Sequence, residues 1–290
     1  MTFFKRMFFF FAVNIAMVIT ISIVLSLLGV QPYLNRYGLN YESLAAFCLV
    51  WGMGGAFFSL AISRISAKWM MGVAVIDPQS PGQYSDLLQT VHNLARAARL
   101  PAMPQVGVYD SPEVNAFATG PMKSRSLVAV STGLLRTMNR DEIEGVLGHE
   151  ISHISNGDMV TMTLIQGVVN AFVMFFARIA AFAISNALSS RDDDRDSRPN
   201  PFMFHMITFV FELLFGILGA MIVSAFSRWR EFRADAGSAR IAGNEKMKSA
   251  LRRLQSYTEQ VDAGHASLST LKISGRPSGG FLALFASHPP

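Results

Sequence analysis

Long runs of uncharged, mostly apolar residues are the dominant pattern along the chain. Residues 8–30 and 43–63 contain no charged side chain, and residues 159–188 and 201–227 contain only one each. A run of about 20 apolar residues is long enough to cross the hydrocarbon of a bilayer as a helix. The pattern therefore predicts four transmembrane helices, at about 8–30, 43–63, 159–188 and 201–227.

The residues between the second and third runs have shorter hydrophobic periods, which predict a folded domain. Apolar side chains recur at helical spacing over residues 81–100. Residues 105–110 and 126–131 have the composition of short strands. The residues between these two strands, Asn115-Ala-Phe-Ala-Thr-Gly120, are rich in turn formers and are read as a connection. The sequence therefore predicts a small sheet.

The segment after the fourth run, 228–290, adds two predicted helices, at about 228–242 and 244–258, and a polar loop at 262–280. Together with 64–158 it supplies about 155 residues, which is enough for one modest core. We therefore expect one domain that is built from these two segments.

Composition and charge support a membrane protein. Of the 290 residues, 51% are hydrophobic, and the mean hydropathy is +0.32. The basic residues cluster on one side of the predicted spans, and their positions are Lys5, Arg6, Arg64, Lys68, Arg228, Arg230 and Arg233. Because Lys and Arg are enriched in cytoplasmic flanks, we expect both termini and the folded domain to be cytoplasmic. No basic and aromatic stripe indicates a nucleic-acid partner.

The chemistry of the chain is concentrated in a helix that Asn139 and Glu142 are predicted to cap and that Asn156-Gly157 is predicted to end. This helix contains His149-Glu150-Ile-Ser-His153. Residues four apart share one helical face, so both imidazoles could bind one Zn²⁺ while Glu150 reaches a water on the metal. Such a zinc peptidase would use the metal to lower the pKa of that water and Glu150 to move its proton.

A catalytic zinc ion usually takes a third protein ligand, and topology favours Glu231, four residues past the fourth run. Asp235 lies one helical turn further and could fix the tautomer of His149. The alternative for Glu231 is a solvated charge that pairs with Arg228 or Arg230.

Three further interpretations stay open on these residues alone. One of them, a catalytically silent scaffold, is disfavoured by the intact pentapeptide and the reachable carboxylate. A membrane metal transporter or sensor could use His149 and His153, but it would need ligands through the bilayer, and the spans offer only Glu212 and His205. An intramembrane protease would need the pentapeptide inside a span, which the charged approach Arg140-Asp-Glu-Ile-Glu144 disfavours. Arg178 and Glu212 are charged groups inside apolar runs. We expect a structural pair between them, or an Arg178 that extends to the membrane interface, rather than a transport pathway.

Several strings of the chain resemble the HtpX family of bacterial inner-membrane metalloproteases. They are Asn115-Ala-Phe-Ala-Thr-Gly120, Leu127-Val-Ala-Val-Ser-Thr-Gly-Leu-Leu135, Gly148-His-Glu-Ile-Ser-His-Ile-Ser-Asn-Gly-Asp158 and Arg230-Glu-Phe-Arg-Ala-Asp-Ala-Gly-Ser-Ala239. The similarity extends from the first run to His288-Pro-Pro290. Some relatives have His at the position of Arg233, a departure that leaves every candidate ligand in place.

The resemblance implies a zinc endopeptidase with one Zn²⁺ per chain, held by His149, His153 and Glu231, with Glu150 as the catalytic glutamate. In related proteases the residue matching His288 is thought to stabilise the transition state. The implied fold is mainly α, with four transmembrane helices and a cytoplasmic α+β gluzincin-like domain. The implied partners are the lipid bilayer and unfolded or misfolded membrane proteins at the bacterial inner membrane, in quality control under stress. We further expect the strand at 126–131 to hold an extended substrate by its backbone.

Overall fold

The computed structural model describes residues 38–189 and 201–264, together with Leu34, Asn35, Ile19, Ile23 and Leu27. The predicted span 8–30 lies almost wholly outside the described residues, and His288 and most of the predicted loop at 262–280 lie outside them as well. The chain forms two compact units. Of the described residues, the first unit contains Leu60–Thr161 and residues 226–264, and the second contains those up to Ser59 and those between Met162 and Ala225.

Along the chain, the strands of a small sheet lie between one long apolar helix and two later ones. In chain order the helices and strands are β1 (Leu34–Asn35), β2 (Gly38–Leu39), α1 (Tyr41–Met70), β3 (Ala74–Val75), α2 (Ser85–Ala97), β4 (Gln105–Tyr109), β5 (Ala116–Met122), β6 (Arg125–Ser131), α3 (Thr132–Thr137), α4 (Arg140–Asn156), α5 (Asp158–Ser189), α6 (Pro201–Ile241) and α7 (Asn244–Gly264). A short 3₁₀ turn, Gly82–Tyr84, precedes α2.

Three of these helices, α1, α5 and α6, are long and apolar enough to cross a membrane. Three helices differ from the sequence prediction, and one of them is α7, which continues past the predicted end near residue 258 to Gly264. Helix α1 continues past residue 63 to Met70. The predicted span 201–227 and the predicted helix at about 228–242 form a single helix, because α6 runs unbroken from Pro201 to Ile241. Neither Gly nor Pro stands at Ser227 or Arg228, so nothing there stops a helix.

The second unit contains an ion pair inside its apolar helices. A guanidinium nitrogen (Nη1) of Arg178 on α5 lies 2.7 Å from Oε1 of Glu212 on α6, and the same nitrogen donates to the carbonyl of Met174 at 3.0 Å. The guanidinium also lies 5.5 Å from the centre of the Phe47 ring on α1. The predicted pairing is confirmed, and it joins groups whose isolated charges would be costly among apolar side chains.

The first unit is organised around a four-stranded sheet with the strand order β3-β4-β6-β5. Strand β6 pairs in parallel with β4 and antiparallel with β5, so both of its edges are hydrogen-bonded. The expectation that residues 126–131 hold an extended substrate by their backbone is therefore wrong, because this strand has no free edge. The edge strands are β3 and β5, and β5 covers most of the stretch 115–120, which is predicted as a turn-rich connection.

Helices α2 and α4 build one core with this sheet. The apolar face of α4 contributes Leu147, Ile151 and Ile154, which are all fully buried, and Val91 of α2 and Val128 of β6 are buried in the same cluster. The opposite face of α4 is consequently left for polar residues, and it contains both histidines of the pentapeptide.

Candidate metal centre

Helix α4 is fixed at both ends by the local signals that the sequence contains. The side chain of Asn139 accepts a hydrogen bond from the backbone N–H of Glu142 at 3.0 Å, and the Glu142 carboxylate accepts one from the N–H of Asn139 at 2.9 Å. At the other end, Gly157 has a φ of 75°, a left-handed conformation that favours glycine. This capping box and C-cap make His149 and His153 neighbours on one face.

Close packing of α4 against α6 brings the second half of the site near the first. Ser238 of α6 donates a hydrogen bond to the carbonyl of Gly145 at 2.8 Å. A Cβ on Gly148 would lie 2.6 Å from Oγ of Ser238 and 3.0 Å from Cβ of Ala242. Glycine at position 148 is therefore what allows the two helices to approach this closely.

The three predicted ligand residues converge at this contact. Nε2 of His149 lies 3.2 Å from Oε2 of Glu231, and Nε2 of His153 lies 3.5 Å from Oε1 of Glu231. The two Nε2 atoms are 3.0 Å apart. All three donor atoms thus lie within 4.8 Å of one another, a separation that one ion could bridge. Glu231 is only 3% exposed, so the alternative of a solvated surface charge does not describe it.

The remaining nitrogen of each imidazole is held by a carboxylate. Nδ1 of His149 lies 2.7 Å from Oδ1 of Asp235, and Nδ1 of His153 lies 2.7 Å from Oδ2 of Asp158. A carboxylate that accepts the Nδ1–H bond fixes the tautomer in which Nε2 presents its lone pair. The chemistry of this donor set fits a divalent metal held by two imidazoles and one carboxylate.

Asp158 was not recognised in the sequence as a partner of the site. It directly follows the helix-ending Asn156-Gly157, and it begins a long apolar helix, α5, in which an acid is favourable at the first turn. The available signal was the spacing. The chain reverses at Gly157, and this turn brings Asp158, five residues after His153, next to the His153 imidazole. In the structure Asp158 is 2% exposed.

Without metal, the site binds protons. Burial disfavours the charged form of His149, but hydrogen bonds to Asp235 and Glu231 outweigh it and raise the pKa of this imidazole to about 10. Burial opposes the charge of His153 in the same way, and the contacts with Asp158 and Glu231 again raise its pKa. A metal ion would have to displace these protons.

Glu150 lies between the ligand face of α4 and the edge strand β5. Burial raises the pKa of its carboxyl, although the nearby His149 and His153 and a hydrogen bond from the backbone of Ala118 in β5 favour the charged form. A carboxyl with a raised pKa suits a group that must both accept and release a proton near neutral pH.

A cavity of about 260 Å³ opens beside these groups. Its polar wall contains His149, Glu150, Glu231 and Asp235, and its apolar wall is formed by Leu134, Val146, Met247, Ala250, Leu251 and Leu254. A larger cleft of about 540 Å³, between α2 and α3, contains none of the predicted ligands. The smaller cavity is therefore the one that the candidate metal site lines.

Arg230 is a further charged neighbour of the site. One of its guanidinium nitrogens donates to Oε1 of Glu231 at 2.7 Å. The pairing that the sequence offered as an alternative role for Glu231 therefore exists, but it exists together with the contacts to both histidines. In the part of the chain that the structure describes, His149, His153 and Glu231 form the one group of three metal-binding residues.

Comparison with known proteins gives consistent results. The family model described as peptidase family M48 matches residues 81–290. The chain is 49% identical over 291 residues to a protease HtpX homolog of Methylacidiphilum infernorum, covering 99% of this chain and 95% of the relative. It is 49% identical to protease HtpX of Shewanella pealeana (99% and 96%) and 48% identical to a protease HtpX homolog of Bacillus subtilis (98% and 95%).

Among solved structures, the fold is similar to the crystal structure of S. mikatae Ste24p. The TM-score is 0.63 at 17% identity, and the match covers 99% of this chain and 62% of that one. At this identity the similarity concerns the fold alone.

Proposed function

The chain belongs to the HtpX proteases of peptidase family M48 and is a membrane-bound metalloprotease, and from this premise we propose that it is a zinc endopeptidase whose site is the cluster around α4. The observation that carries the proposal is the convergence of His149, His153 and Glu231 within 4.8 Å, next to Glu150. Two imidazoles and one carboxylate are a ligand set typical of catalytic zinc.

Each residue of the site has a distinct role in this proposal. His149, His153 and Glu231 hold the metal, and Asp235 and Asp158 orient the two imidazoles. When bound, the metal supplies Lewis acidity toward a water molecule and the peptide carbonyl. Glu150 accepts a proton from the water as its oxygen adds to the peptide carbonyl carbon, and it then donates that proton to the amine nitrogen as the peptide C–N bond breaks.

Strand β5 is the proposed support for the substrate. Ser131 donates its N–H to the carbonyl of Asn115 at 2.9 Å, so Asn115 faces β6. Because backbone groups alternate along a strand, Ala116 and Ala118 direct theirs toward the free edge, where the N–H of Ala118 already donates to Glu150. A substrate strand added there would pass Glu150, and main-chain pairing would accept many sequences. This arrangement suits a protease for unfolded segments.

The finer features of the function rest on sequence patterns and on family membership. The distribution of Lys and Arg supports a cytoplasmic site with both termini on the same side. Broad backbone recognition supports a role in removing misfolded or damaged membrane proteins. The implied role of His288 in stabilising the transition state stays a prediction, as does a bacterial inner-membrane location in a stress response.

The test compares cleavage of an unfolded substrate, such as casein, with the metal content of the same detergent-purified samples. We expect Glu150→Gln to keep stoichiometric zinc and to lose at least about 100-fold in turnover, in line with the loss of a positioned acid–base group. Glu231→Ala should lose both metal and turnover. Glu245→Gln, which removes an exposed acid on α7, is the matched control and should lose neither.

Two results would overturn the assignment. Wild-type turnover in Glu150→Gln would remove the proposed acid–base group. Full zinc occupancy together with activity in Glu231→Ala would remove the proposed third ligand.

A further inference from the structure

Two basic side chains near the end of α1 donate to the same amide oxygen within the first unit. A guanidinium nitrogen (Nη2) of Arg64 lies 2.5 Å from Oε1 of Gln105, and Nζ of Lys68 lies 2.9 Å from the same oxygen. An amide oxygen orients the two groups without neutralising them. Among the residues that the structure describes, no carboxylate pairs with Arg64 or Lys68. The pair therefore presents two uncompensated positive charges.

Nε of Arg64 is itself buried and lacks a hydrogen-bond partner within the described ranges. A buried donor without an acceptor is destabilising. Arg64 and Lys68 are four residues apart and therefore share one face of α1. A guanidinium and an ammonium placed in this way could together bind an anion with several oxygen atoms, of which phosphate is the common example.

The surroundings of this pair are apolar and exposed. Ile65, Trp69, Met70 and Met71 are 52%, 57%, 43% and 47% exposed. Arg64 is also the first charged residue after the uncharged run 43–63. Basic residues and Trp at the end of an apolar helix lie at the level of the lipid headgroups, with their apolar parts toward the acyl chains. The anion that this position meets is therefore a lipid phosphate.

We propose that Arg64 and Lys68 form a binding site for the headgroup of an anionic phospholipid, and that Gln105 holds the two cations in place. The phosphate accepts hydrogen bonds from both side chains, and the exposed apolar residues contact the acyl chains of the lipid. A zwitterionic lipid also contains a phosphate, but its own cation cancels the charge. The site therefore prefers an anionic lipid. The proposal concerns a site other than the metal cluster and does not depend on the catalytic assignment.

The experiment titrates the delipidated full chain in detergent with phosphatidylglycerol or phosphatidylcholine and counts bound lipids by native mass spectrometry. We expect the wild type to prefer phosphatidylglycerol. Arg64→Gln/Lys68→Gln should bind this lipid about 30-fold more weakly, since each basic residue near an anionic lipid surface contributes about five-fold in affinity. The matched control, Lys248→Gln/Arg252→Gln, removes one Lys and one Arg that are exposed on α7 and should keep the preference.

Two more variants distinguish an effect of the positive charge on lipid binding from an effect on folding. Gln105→Glu offers both cations a carboxylate and should abolish the preference without lowering the melting temperature. Arg64→Lys/Lys68→Arg keeps both charges and should retain most of the preference. An unchanged preference in Arg64→Gln/Lys68→Gln or in Gln105→Glu would overturn the proposal.

A competition arm distinguishes a lipid site from a general anion site. Millimolar inorganic phosphate should not displace phosphatidylglycerol, because it lacks acyl chains. Equal competition by inorganic phosphate would refute the lipid assignment and would leave a site for a free anion.

Discussion

Removal of the Asp158 carboxylate should weaken metal binding even though Asp158 is not among the predicted ligands. Its Oδ2 lies 2.7 Å from Nδ1 of His153, and its side chain is 3% exposed. Loss of a carboxylate that orients a metal-binding histidine typically costs 10- to 100-fold in affinity. Because this contact is buried, we expect Asp158→Ala to weaken metal affinity by about 100-fold, near the upper end of that range, or by about 2.7 kcal/mol.

The corresponding contact of His149 supplies an internal comparison. Asp235 approaches its histidine at the same distance of 2.7 Å, but its side chain is 29% exposed, so water can replace part of the lost interaction. Asp235→Ala should therefore weaken metal binding less, by about 10-fold. The ranking of the two variants tests the reasoning independently of either absolute value.

Zinc affinity of the detergent-purified variants can be measured by competition with a chelator of known affinity. Thermal unfolding of the metal-free proteins should accompany it, because Asp158 also begins α5, where an acid contributes about 0.3–1 kcal/mol to helix stability. A change below about three-fold for Asp158→Ala, or a larger effect of Asp235→Ala, would refute the assigned role.

Three further predictions follow from the contacts described above. In the metal-free protein, the raised pKa of His149 stabilises the fold fully below pH 6.5, and this contribution disappears as the pH rises toward 10; urea denaturation of His149→Gln should lack that slope, and identical profiles would contradict it. Arg178→Glu and Glu212→Arg should each destabilise the protein by about 2–4 kcal/mol. The double reversal should restore the melting temperature, and a failure to restore it would contradict the pairing. Gly148→Ala should destabilise by about 1–3 kcal/mol through overpacking, and Ser238→Ala should partly rescue it in the double variant, whereas a stabilised single variant would contradict the close approach.

Helix α4 could be predicted because the sequence signals that begin and end it are local. Asn139 and Glu142 form the predicted capping box, and Gly157 ends the helix where expected. Once this helix is predicted, its geometry alone places His149 and His153 on the same face. The pairing of Arg178 with Glu212 was also predictable, because charged groups among apolar residues require a partner.

Other features depended on tertiary contacts that local patterns do not contain. Strand β5 includes Gly120 and Pro121, and it is held as a strand by its pairing with β6 rather than by its own propensity. The role of Asp158 requires the chain to turn back at Gly157. The second half of α6 was predicted as a separate helix because the change from apolar to charged residues near Arg228 looks like a boundary, although the backbone continues through it.

The order of the site residues along the chain has a consequence for biosynthesis. Glu231 is the 78th residue after His153, and the whole of α5 and most of α6 are translated between them. At about 5–20 residues per second, a ribosome needs roughly 4–16 s to produce that stretch. The two histidines therefore leave the ribosome well before their carboxylate partner exists. With Glu231 as the proposed third ligand, a newly made chain cannot complete its metal site until α5 and most of α6 have been synthesised.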